Sequence, residues 1–95
     1  MTTSSSICIP RIETSTPKGY IYNIITSLCL GKIDKITEIP LRNDPSHKRI
    51  IINLRWNMKD NNAVDLKNQL DNLGSIKVVH NMPWYWKVVS THPQI

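Results

Sequence analysis

The stretch His47–Trp56, HKRIIINLRW, constrains this chain more than any other. Three isoleucines and a leucine lie almost in a row, with Arg49 before them and Arg55 and Trp56 after. β-branched residues fit a pleated sheet, and so short an apolar run, preceded by a turn, predicts a strand through the middle of a sheet. Period-2 alternation then sends Ile50, Ile52, Leu54 and Trp56 to one side and Arg49, Ile51, Asn53 and Arg55 to the other. The first side is core. The second is basic, polar and only partly apolar, and it is where function should be sought.

The rest of the chain supplies partners for that strand. Ile7–Ile12 reads as a short first strand with Ile7, Ile9 and Ile12 inward and Cys8 outward. Pro10 belongs near its end or where pairing lapses. Thr16 as N-cap and Pro17 at the first helical position open a helix with an Ile21, Ile24, Ile25, Leu28 stripe, which Gly31 stops. Ile33–Leu41 is a second strand whose apolar points recur every third residue, so a bulge is expected, and Pro40 argues for a sheet edge. Asn43–Ser46 is a turn by composition. A second helix over Asn61–Leu73 is capped by Asp60 or Asn61, buries Ala63, Leu66, Leu70 and Leu73, and ends at Gly74. Ser75–His80 and Trp84–Ser90 form a closing hairpin.

This order predicts an α+β, ferredoxin-like βαββαβ sandwich. Its four-stranded antiparallel sheet carries two helices on one face, with a short extra hairpin strand before the last strand. Residues 7–90 form the single domain, between a disordered tail at 1–6 and a second tail at 91–95.

With 95 residues the chain is one domain, and its net charge of +5 favours acidic partners, nucleic acid first. The same charge serves solubility, and the twelve basic residues make no continuous run. No apolar stretch approaches a membrane span, and no signal peptide is expected. Cys8 and Cys29 read as reduced thiols of an intracellular protein, although a bridge between them is not excluded by sequence. Neither cysteines nor histidines have zinc-ligand spacing, and no carboxylate pair, nucleophile motif or glycine-rich phosphate loop is visible. An enzyme, a metal and a cofactor are therefore not expected.

Two segments resemble an RNA-recognition motif. Ile7-Cys8-Ile9-Pro10-Arg11-Ile12 is similar to that family's first signature strand in its aliphatic positions, with Cys8 in place of the aromatic and Arg11 in place of Asn. His47–Leu54 is similar to the other signature strand, with Arg49 and Ile51 replacing stacking aromatics. Leu30-Gly31-Lys32-Ile33 and the closing hairpin also resemble the family. Lys77–His80 through Pro83–Val88 looks like the tail of small relatives in large nucleocytoplasmic DNA viruses, which implies a viral protein of the host cytoplasm or nucleus.

The resemblance implies single-stranded RNA or DNA bound on the open sheet face. The candidate contacts are Arg11, Lys48, Arg49, Asn53, Arg55, Tyr85 and Lys87. Arg49 and Tyr85 would supply part of the base stacking that the missing rings do not. The opposing reading is a protein interface, a homodimer or a viral or host partner, through an aliphatic patch of Cys8, Ile39, Ile51 and Val89. Trp86 is expected in the core and Trp56 in the core or at its edge, with Trp84 capping the core edge.

Overall fold

The computed structural model describes residues 3–81 and 84–90. The elements run β1 (Thr3–Glu13), α1 (Lys18–Ser27), β2 (Gly31–Leu41), β3 (Asp44–Trp56), α2 (Asn61–Leu73), β4 (Ser75–Asn81) and β5 (Trp84–Ser90). All five strands form one antiparallel sheet in the order β2-β3-β1-β5-β4.

This corrects the expected four-stranded ferredoxin-like sheet. The segment expected as a short extra hairpin strand, β4, is a full strand at the sheet edge, paired with β5 from Ser75↔Val89 to Asn81↔Trp84. Its side chains explain why. Ile76 and Val78 alternate with Lys77 and Val79, so the segment has an apolar face of its own. Joining the sheet buries Ile76 and Val78 in the common core.

The alternation in β3 is as the sequence predicts. Ile50, Ile52, Leu54 and Trp56 are buried, Ile51 is half-buried, and Arg49, Asn53 and Arg55 are exposed. The inward residues of the five strands meet Ile21 and Ile25 of α1 and Ala63 and Leu70 of α2 in one cluster. Each fully buried aliphatic side chain there contributes about 1.5–3 kcal/mol. Both helices thus lie on one side of the sheet, and the other side carries none.

Several boundaries differ from expectation. β1 begins at Thr3, so residues 3–6, expected within a tail, pair with residues 53–56 of β3. The Ser5 hydroxyl accepts from the Trp56 indole N–H at 2.7 Å, which satisfies a donor that burial would otherwise strand. Pro17, not Thr16, occupies the N-cap of α1, and no side chain caps it. The helix ends at Ser27, well before Gly31, and Cys29 takes the left-handed conformation (φ 56°). Gly31 instead opens β2, where an added Cβ would lie 1.8 Å from the Arg55 carbonyl oxygen. Its role is close backbone approach. The turn between β2 and β3 is Arg42-Asn43, and Asp44 already belongs to β3.

α2 follows its sequence signals. The Asp60 carboxylate accepts from the backbone N–H groups of Asn62 and Ala63, and Gly74 takes φ 81° at the C-terminus. Leu73, expected in the inner stripe, is 74% exposed. β2 forms a sheet edge and has irregular register between Ile33 and Lys35, in keeping with Pro40 and the three-residue spacing. The expected tail at 91–95 and the turn residues Met82 and Pro83 lie outside the described residues.

Candidate nucleic-acid interface

Cross-strand register defines the helix-free face. Its middle row reads Thr37, Ile51, Cys8, Val89 and Ser75 across β2, β3, β1, β5 and β4. Charge lies on both sides of this neutral row. In one direction Arg55 stands opposite Lys32 of β2, and Asn53 opposite Lys35. In the other, Arg49 stands opposite Ile39, and Lys87 opposite Lys77. All six cations are exposed. Among the described residues, the carboxylate that reaches them is Asp34, at the β2 irregularity, whose two oxygens accept from Arg55 Nε at 3.1 and 3.0 Å. These charge-assisted bonds push the Arg55 pKa up and pin its side chain.

Arg49 has a different setting. No carboxylate pairs with it among the described residues. Its guanidinium lies close enough to Cys8 to oppose the rise in thiol pKa that burial causes. Tyr85 is 49% exposed on this face, and the Lys77 ammonium sits 4.9 Å from its ring centroid. The Asn53 amide oxygen accepts from the Ser6 hydroxyl at 2.6 Å, which orients the amide across β1 and β3.

Two sequence candidates stand elsewhere. Lys48 is buried on the helix side, with its ammonium donating to the Thr16 carbonyl at 2.7 Å and to Glu38 at 2.6 Å. A cation so enclosed cannot meet a phosphate from the open face. The alternation that sends Arg49 outward necessarily sends Lys48 inward. Arg11 is exposed but lies beyond the β1 irregularity, where it pairs with Asp44. Asp44 also accepts from the Ser46 hydroxyl and His47 Nδ1, and these two bonds, in that order, hold its carboxyl down at about 2.

The proposed aliphatic patch is thinner than the sequence implied. Cys8 points to the open face but is buried, Ile51 and Val89 are half-buried, and Ile39 is exposed at the β2 edge. Both cysteines are free.

Sequence reasoning missed Lys32, Lys35 and Lys77 as members of this face. Lys77 was readable from its alternation with Ile76 and Val78, once β4 is granted a place in the sheet. Lys35 was hidden by the break in period that puts it opposite Asn53. Trp84, expected at the core edge, is 66% exposed. No helix among the described residues is long and apolar enough to cross a membrane. No protein-family model, curated protein or solved structure matches this chain.

Proposed function

We propose that this chain is a small, non-enzymatic module that binds single-stranded RNA or DNA across its helix-free sheet face. The observation that carries the reading is the charge on that face: Lys32, Lys35, Arg49, Arg55, Lys77 and Lys87, of which Arg55 alone is paired with a carboxylate, Asp34, among the described residues. A flat, exposed array of cations next to a half-exposed tyrosine suits a flexible polyanion with stackable bases. Arg49 is the central contact, because no carboxylate pairs with it among the described residues and its guanidinium can both meet a phosphate and stack on a base. The proposal takes from RNA-recognition motifs the mode of binding, a strand laid over an open sheet, and it includes the likeness to viral relatives as a proposed origin.

The test is a titration of short single-stranded RNA and DNA with the wild-type chain and with Arg49→Glu. The variant binds several-fold or more weakly, while its circular dichroism spectrum and melting temperature stay near those of wild type. Equal affinity of the two proteins would place binding, if any, away from this face.

The uncharged middle row favours a second reading, in which a copy of this chain docks there through Ile51 and Val89. Sedimentation at rising concentration shows a dimer on that reading, and Ile51→Asp abolishes it.

A further inference from the structure

The two edges of the sheet are guarded differently. β2 forms one edge and carries charge at Lys32, Asp34, Lys35 and Glu38, a break in register between Ile33 and Lys35, and Pro40, which has no N–H to offer a neighbour. Charges, irregularities and prolines are the devices by which an edge strand refuses a further strand. β4 forms the other edge and pairs with β5 alone among the described strands. From Ser75 to Val79 its register runs without a break. Ile76, Val78 and Val79 are β-branched, which suits a strand.

Among the described side chains of β4, the charged one is Lys77. Its ammonium sits 4.9 Å from the centroid of the Tyr85 ring. Tyr85 belongs to β5, so the charge is drawn inward over the sheet and away from the outer edge. Aliphatic surface stays in water on and beside this strand. Val79, on the same face as Lys77, is 56% exposed. Leu73, two residues before β4, is 74% exposed although it belongs to the apolar stripe of α2.

The strand is also complementary to itself. A second copy can add its β4 antiparallel to the first about a twofold axis perpendicular to the sheet. Residues opposite each other then share a face, so the axis passes through one residue. The midpoint of Ser75–Asn81 is Val78, and an axis there pairs all seven residues. Val78 meets its own copy, and Lys77 stands opposite the partner's Val79. An axis one residue earlier would set Lys77 against Lys77, and like charges directly opposite are destabilising.

We propose that two copies of this chain join through their β4 edges in the register centred on Val78, so that two five-stranded sheets become one of ten strands. The axis keeps both helix-free faces on the same side, and the cations of one copy continue into those of the other. The dimer does not depend on what that face binds.

Sedimentation equilibrium of the full chain tests this, at a salt concentration that screens repulsion between two chains of net charge +5. The wild-type mass rises with concentration toward twice 10.9 kDa. Val79→Lys sets like charges opposite each other at two symmetric places and weakens association by roughly tenfold or more. Adding Lys77→Glu sets opposite charges at the same two places and restores the dimer. An axis on residue 77 or 79 would oppose like charges in that double variant, so the restoration reports the register. Both positions are exposed, so the variants keep the wild-type fold, which circular dichroism checks. Wild type that stays monomeric at millimolar concentration overturns the proposal. So does a dimer that tolerates Val79→Lys, or a double variant that stays monomeric. Ile51→Asp leaves this dimer intact. A dimer that Ile51→Asp abolishes and Val79→Lys does not belongs to the middle row of the sheet face, and it overturns the proposal as well.

Discussion

Lys48 and Arg49 are neighbours in the chain with opposite work to do. Lys48 is enclosed and joins three elements: its own strand, Glu38 of β2 and the Thr16 carbonyl before α1. Lys48→Met leaves both acceptors without their donor and should cost about 1–3 kcal/mol of stability, measured by denaturant unfolding, with oligonucleotide affinity unchanged. Arg49→Glu should do the reverse. Asp44 is a second residue whose role can be separated by pH. Its carboxyl is held at about 2 against an ordinary 3.8, through bonds from Ser46 and His47 to the charged form. A depressed carboxyl stabilises the fold above the ordinary value and loses that contribution as pH falls through 3.8 toward about 2. Wild type should therefore be the more stable at neutral pH, with Asp44→Asn closing the gap across that acid window. A gap that persists below it would show that the charge is not what Asp44 contributes.

Elements differ in how much of themselves they carry locally. α2 has a capping carboxylate, an apolar stripe and a C-terminal glycine within its own residues, so its bounds, Asn61–Leu73, follow from the sequence. Asp60→Ala should cost about 0.5–2 kcal/mol, read as a drop in melting temperature. β3 is equally legible, because strict alternation over Lys48–Trp56 leaves one way to face the core. α1 is less so. Thr16 and Pro17 resemble a cap and a first turn, yet the structure uses Thr16 to receive Lys48, a contact 32 residues away in sequence. Gly31 reads as a helix stop, yet its reason is the Arg55 carbonyl of another strand. β4 was undervalued for the same cause: its place in the sheet is decided by β5 and by the core under α2. Of the helix-free face, the β3 residues and the β5 pair Tyr85 and Lys87 follow from alternation. Lys32 and Lys35 depend on how an irregular edge strand registers against β3.

At the scale of the whole molecule, the sheet separates two jobs. One side is filled by isoleucines, leucines and tryptophans against two helices, and the other carries cations on both sides of an uncharged middle row. The net charge of +5 is therefore not evenly spent on solubility: six of the twelve Lys and Arg residues share one face. Such an array should attract a single strand from a distance and hold it through phosphates, with affinity set by ionic strength. The most direct measurement is the affinity of wild type for a short single-stranded oligonucleotide over a range of salt concentrations. Engagement of three to six of these cations predicts a linear fall of log K with log salt, with a slope of roughly −2 to −4 at about −0.7 per contact. No binding at low salt, or an affinity indifferent to salt, would contradict the account.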